Sequence, residues 1–326
     1  MESLFLTNLT SPPLLFFLLG ALASLVRSDL EIPEQIAKFL SLYLLMAIGF
    51  KGGVALAESD LDLEVLTGLS IALVMSIVVP VYVFFMVKRT MTLADAAATA
   101  ATFGSISAVT FVTCTSYLDA NDIEWSGYLV AAMALMESPA IIIGLLFFKL
   151  FQDSASGVSL NVRELLKDSF LNGSVFLIVG SLVVGWISGP EGKVLVAPFL
   201  QDLFIGVLCL FLLDMGIVAM RRLLDLRLNG SGLPIRQIVM WGILLPLINA
   251  ALALSITSFF TIPEGDVVLL VVLSASASYI AVPAAMRLAL PEANPGTYLG
   301  IALGITFPFN LVIGIPLYHY LAVWAS

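Results

Sequence analysis

Two stretches of this chain carry residues of a kind that bind small ions: Thr102-Phe103-Gly104-Ser105-Ile106-Ser107-Ala108-Val109-Thr110, and Ser274-Ala275-Ser276-Ala277-Ser278-Tyr279-Ile280-Ala281-Val282-Pro283. Both are small and polar where their surroundings are apolar. Gly104 weakens one helix and Pro283 removes a backbone donor from the other, so both are expected to be interrupted helices. An interruption frees backbone N–H groups and presents the positive dipole end of the next half-helix, which suits an anion. The hydroxyls of Ser105, Ser107, Thr110, Ser276 and Ser278, with Tyr279 beside them, add donors for an anion or oxygens for a hard cation such as Na+. For any one serine, close helix packing is the competing reading.

Four further polar residues fall inside apolar sequence. Glu137 stands in Met136-Glu137-Ser138-Pro139, roughly 16 Å into its span at 1.5 Å per residue. Asp214 is central in Leu213-Asp214-Met215-Gly216, Asn310 follows Pro308-Phe309, and Lys51 lies between Phe50 and Gly52-Gly53. Ionisable groups in a membrane are costly and mark ion pathways. Glu137 is therefore a candidate for ion coordination or proton coupling, the alternative being a protonated acid bonded to a neighbouring helix. Asp214, Asn310 and Ser274 are secondary candidates for ion coupling, with pairing to Arg221 or Lys51 the other reading of Asp214. Glu137, Ser107 and Ser278 together are the candidate Na+ set, and Lys51 reads as an external anchor.

The elements that position these residues are membrane helices. Of 326 residues 60% are hydrophobic and 11% charged, against about 25% charged in soluble domains. Apolar runs long enough to cross roughly 30 Å of hydrocarbon recur throughout. The expected spans are 13–28, 35–57, 63–87, 92–118, 126–151, 172–188, 195–221, 232–260, 264–289 and 295–323. No basic residue precedes the first, which is read as a span rather than a signal peptide. Cys114 and Cys209 lie in apolar segments and read as small buried residues. With alternating loops, every basic residue except Lys51 and Lys193, 12 of 14, falls on one side, and the positive-inside bias puts both termini outside the cytoplasm. The net charge of -9 offers nothing to nucleic acid.

The second half repeats the first. Phe16-Phe17-Leu18-Leu19-Gly20 matches Phe176-Leu177-Ile178-Val179-Gly180, and Leu44-Leu45-Met46-Ala47-Ile48-Gly49 matches Phe211-Leu212-Leu213-Asp214-Met215-Gly216. Ser105, Ala108 and Val109 match Ser278, Ala281 and Val282; Tyr128-Leu129 and Ile143-Gly144 match Tyr298-Leu299 and Ile313-Gly314. Five spans per unit invert the second copy, the architecture of secondary transporters with a midplane site. The division is residues 1–151, a cytoplasmic linker 152–171 and residues 172–326. In the linker Val162, Leu165, Leu166 and Phe170 recur at helical spacing, predicting a short interfacial or solvated helix.

Metal-spaced His or Cys pairs and Gly-rich phosphate loops are missing, which argues against an enzyme, a resident cofactor or direct ATP coupling. The lone His319, near the end of the last span, reads as an interfacial residue.

Taken with Ile48-Gly49-x-x-Gly52-Gly53, Phe103-Gly104-x-x-Ser107-x-x-Thr110 and Met136-Glu137-x-Pro139, the run Ile280-Ala281-Val282-Pro283-Ala284-Ala285-Met286-Arg287 resembles the sodium-dependent bicarbonate transporter family. So does Pro291-Glu292-Ala293-Asn294-Pro295-Gly296-Thr297-Tyr298-Leu299-Gly300. The resemblance implies an all-α bacterial inner-membrane protein of ten helices in inverted repeats, divided into core and gate domains. It further implies Na+-coupled import of a small anion, a homotrimer, and a PII-like regulatory partner on the cytoplasmic face. Where cyanobacterial members have Ser-Ser-Ser-Asp before the ninth-helix proline this chain has Ser276-Ala277-Ser278-Tyr279, and where they have Gly-Ser it has Ala108-Val109. A carboxylate symporter of the same fold and a non-transporting membrane subunit are the alternatives.

Overall fold

The computed structural model describes residues 9–58, 63–152, 173–229 and 233–325, and among these the regular structure is helical throughout. The helix predicted within the linker lies outside the described residues. In chain order the helices are α1 (Pro12–Leu25), α2 (Glu34–Glu58), α3 (Leu63–Val87), α4 (Leu93–Gly104), α5 (Ala108–Ala120) and α6 (Tyr128–Phe151). There follow α7 (Gly173–Leu200), α8 (Phe204–Asn229), α9 (Ile235–Thr257), α10 (Glu264–Ala275), α11 (Ala281–Ala289) and α12 (Pro295–Trp324).

Among the described residues seven stretches are long and apolar enough to cross a membrane, with α4 and α5 counted as the single stretch Leu93–Ala120. The other three of the ten expected spans have identifiable shapes. At 14 residues α1 is a short apolar helix. In α7 the backbone turns at Gly189, whose φ of 56° combined with ψ of -156° is a conformation that glycine adopts and side-chain-bearing residues avoid, just ahead of Pro190. The chain then returns to α2, where the Tyr43 hydroxyl donates to the Phe199 carbonyl. The seventh span therefore starts at Phe204 and not at 195, because 190–200 belongs to this folded-back segment. The third, α10 and α11, is divided.

The helices form two groups. In one, α1 packs along α8 and α2 along α7 through glycines that bring backbones together. A Cβ on Gly20 would lie 2.0 Å from the Leu213 carbonyl oxygen, and one on Gly216 2.0 Å from that of Phe17. Gly53 meets the Leu182 carbonyl in the same way. The second group contains α3 to α6 and α9 to α12. Its centre is the fourth-span stretch, 94% buried against 44% for α9. Alanine explains this position: Ala94, Ala96, Ala97, Ala98, Ala100 and Ala101 favour helix while leaving room for close neighbours. Thr92 caps α4 by accepting from the Asp95 N–H at 3.1 Å.

The final helix is not uniform. Gly300–Thr306 and Asn310–Gly314 are wound as π-helix, a form concentrated where a helix must turn side chains to special duty.

Candidate functional site

Both expected interruptions are present, and they cross. α4 ends at Gly104 and α5 begins at Ala108; α10 ends at Ala275 and α11 begins at Ala281. Gly104 is required by contact, since a Cβ there would come within 2.5 Å of the Pro80 ring on α3. Pro283 acts differently from the expectation. It occupies the first turn of α11, where a missing N–H costs nothing, so it starts that half-helix instead of breaking one.

Each interruption completes the hydrogen bonding of the other. The Ser278 N–H donates to the Thr102 carbonyl at 2.9 Å, and the Ser107 N–H donates to Ser276 Oγ at 2.9 Å. Ser276 Oγ in turn donates to the Leu273 carbonyl at 2.8 Å. Ser107 caps α5, its oxygen accepting from the Thr110 N–H at 3.1 Å and the Thr110 hydroxyl at 2.9 Å. Ser278 Oγ accepts from the Val282 N–H at 3.3 Å. Two asparagines take the carbonyls released at the end of α10: Asn249 Nδ2 donates to Ser274 at 2.8 Å, and Asn310 Nδ2 to Ala275 at 2.9 Å. Their oxygens accept from the hydroxyls of Tyr82 and Tyr318. Buried backbone groups left open cost of order a hydrogen bond each, which is why these side chains stand there.

Some polarity is left over. Among the described residues the hydroxyls of Ser105 and Tyr279 have no hydrogen-bond partner, and neither do the N–H groups of Ala108 and Val109 at the start of α5. Tyr279 is nine-tenths buried, beside Ser107 and edge-on to Phe307.

A cavity of ≈ 50 Å³ lies where the crossing faces the first helix group, and it has room for a few water-sized groups. The crossing contributes Ile106 through Val109, Val112 and Ser278 through Ile280, and α6 contributes Met133, Ala134 and Glu137. The opposite wall is Ser41, Leu44 and Leu45 of α2, Ile178 of α7 and Phe211 of α8. Glu137 is buried, with no hydrogen bond found for it among the described residues.

Residues 12–323 match the model of the Na+-dependent bicarbonate transporter superfamily. The chain belongs to that superfamily. No curated protein matches it. The superfamily is one of transporters, and with its long apolar helices this member is a multi-pass membrane protein.

Of the residues singled out in the sequence, the structure places Ser107, Ser278, Tyr279 and Glu137 on this transporter's cavity. Gly104, Ser105, Thr110 and Ser276 belong to the crossing without lining the cavity, the last two being engaged in its internal bonds. Ser274 turns its hydroxyl back to the Leu270 carbonyl at 2.8 Å, and Asn310 is a helix-end donor. Asp214 is buried on α8 within the influence of the Arg221 charge, and Lys51 binds Asp119 instead at 2.6 Å. His319 is buried within the protein, its Nδ1 bonded to the Tyr117 hydroxyl at 2.9 Å and its Nε2 to Glu264 at 2.8 Å. Cys114 and Cys209 are free and buried, as their apolar settings implied.

Sequence reasoning missed Asn249, Tyr82, Asp95 and Asp266. The two aspartates each stand third in a half-helix: Asp95 accepts from the Asn294 N–H at 2.6 Å, and Asp266 from the Ser126 N–H at 2.7 Å. An asparagine or aspartate inside an apolar span was the available signal.

Proposed function

We propose that this protein is a secondary importer that couples Na+ to the uptake of a small anion by alternating access, with the crossing of α4/α5 and α10/α11 as its substrate site. One observation carries the reading. Unpartnered donors from the crossing, the Tyr279 hydroxyl and the N–H groups of Ala108 and Val109, meet a buried carboxylate, Glu137, at a cavity between two helix groups. The donors suit an anion. Glu137, with the oxygens of Ser107 and Ser278, suits the accompanying cation, and a cation between them removes the repulsion that an anion would meet from the carboxylate.

Support for ten spans in two inverted halves comes from contacts that exchange between halves. α1 pairs with α8 while α2 pairs with α7, the first helix of each half lying on the second of the other. Asp95 holds the start of α12, and Asp266 holds the start of α6. Pro80 and Pro246 stand inside the third helix of each half. In this reading α1, α2, α7 and α8 are the gate and the remaining helices the core that moves against it.

Hydrogencarbonate is the anion that the superfamily supplies. Purified protein in proteoliposomes is expected to take up labelled hydrogencarbonate when Na+ is outside and to lose that uptake when choline replaces Na+; uptake indifferent to the exchange rejects the coupling. The gate wall favours a second reading. Apart from Ser41 it presents only Leu44, Leu45, Ile178 and Phe211. These cannot replace the hydration of an anion with oxygens on every side, but they fit the apolar body of a short carboxylate. Competition of the labelled uptake by unlabelled short-chain carboxylates separates the two.

A further inference from the structure

The two helix groups also meet beyond the cavity, towards the end of α2. A Cβ on Gly127 would lie 2.2 Å from the Gly52 carbonyl oxygen, and one on Gly52 3.2 Å from that of Gly127, so backbone touches backbone there. Beside that contact the Val130 side chain of α6 fills the space over Gly52, where a Cβ would come within 2.4 Å of its Cγ2. Immediately beside it Lys51 Nζ of α2 binds Asp119 Oδ2 of α5 at 2.6 Å. Trp125 Nε1 donates to the other oxygen of Asp119 at 3.0 Å, and the Lys51 ammonium stands 4.8 Å from the Trp125 ring centroid. One carboxylate thus holds a cation from one group and an indole from the other.

The position of this cluster along α2 gives it direction. Leu45, the nearest cavity residue of α2, precedes Lys51 by six positions, roughly 9 Å of helix. Lys51 lies on the side otherwise nearly devoid of basic residues, the outer side by the positive-inside rule. The cavity therefore lies on the cytoplasmic side of a seam where the groups are closed.

We infer that Lys51, Asp119 and Trp125 form a latch over the Gly52–Gly127 seam, positioning core against gate so that the outer path to the cavity is shut. The inference rests on the alternating-access reading, but it is tested without any substrate, so the two fail separately. Lys51 and Asp119 are both close to half exposed, and water reaches the pair. Its strength is that of a screened surface ion pair: enough to bias two conformations, and weak enough to release in each cycle.

The test is the sidedness of cysteine labelling. Ala134→Cys places a thiol on the cavity, and protein without this substitution gives the background from buried Cys114 and Cys209. A membrane-impermeant thiol reagent added outside is expected to label the reporter about two- to fivefold faster in Lys51→Gln and in Asp119→Asn, the range one exposed pair can shift an equilibrium. The swap Lys51→Asp with Asp119→Lys returns the rate towards that of the parent, which a merely structural role would not do. Trp125→Phe keeps the ring and loses the N–H, so it gives a smaller rise. If the charge variants do not fold, high salt is expected to speed outside labelling in the otherwise unaltered reporter protein. Outside labelling unmoved by the variants or by salt, or raised equally from both faces, overturns the latch.

Discussion

The two interruptions are built from similar residues but end in different states. At the first, Ser105 to Ser107, extended backbone leads into a capped helix: Ser107 satisfies Thr110 twice and its own N–H is held by Ser276. The second, Ser276 to Ile280, is longer, and Ile280 gives α11 no side-chain cap. Its carbonyl ends are closed from outside by Asn249 and Asn310, and Tyr279 is left with a free hydroxyl at the cavity. The first interruption is mainly a frame that leaves backbone N–H groups of Ala108 and Val109 open. The second adds an unpartnered side-chain hydroxyl that lines the cavity, Tyr279, and a ligand there gains a bond the protein itself does not make.

Substitutions that separate frame from ligand site test this contrast. The largest effect is expected at Glu137, shared by neither interruption: Glu137→Gln keeps the shape and removes the charge, and Na+-driven uptake should fall on the order of tenfold or more. Ser276→Ala strips the acceptor from the buried Ser107 N–H, at a cost of about 1–3 kcal/mol. That loss is read as a lower unfolding temperature in detergent. Tyr279→Phe should leave unfolding within about 0.5 kcal/mol of the parent, because no internal bond is lost, while raising the KM for the anion about tenfold. The contrast breaks if Tyr279→Phe is the destabilised variant and Ser276→Ala the one that only transports badly. The smallest change is Thr110→Val, which removes one of two bonds to Ser107 and should cost about 0.5–1 kcal/mol without altering the KM.

What was legible in the sequence follows from range. Both interruptions could be read because Gly104, the serines and Pro283 act on their own backbone, and local chemistry leaves a local trace. Pro283 shows the boundary of that reasoning: a proline that cannot continue a helix can equally well begin one, and only its neighbours decide. Glu137 stood out because a carboxylate in apolar sequence is expensive wherever it points. Asn249, Asp95 and Asp266 each bond to backbone between 25 and 199 positions away, which no local pattern encodes. The gate wall was equally silent, since Leu44 and Phe211 look like residues facing lipid until the fold turns them inward. Within α7 the Gly-Pro pair at 189–190 was visible, but whether it merely bends a helix or returns the chain to α2 is settled by the contact of Tyr43 with Phe199.

The central claim is that anion and Na+ meet at the cavity between the crossing and the gate. Its most direct test is the thermal unfolding of purified protein titrated with hydrogencarbonate and short carboxylates, with and without Na+, in parallel with Tyr279→Phe and Glu137→Gln. Stabilisation by an anion only when Na+ is present, lost in Glu137→Gln and shifted to higher anion concentration in Tyr279→Phe, is the predicted result. Equal Na+-dependent stabilisation of all three proteins would place the binding site elsewhere and contradict the account.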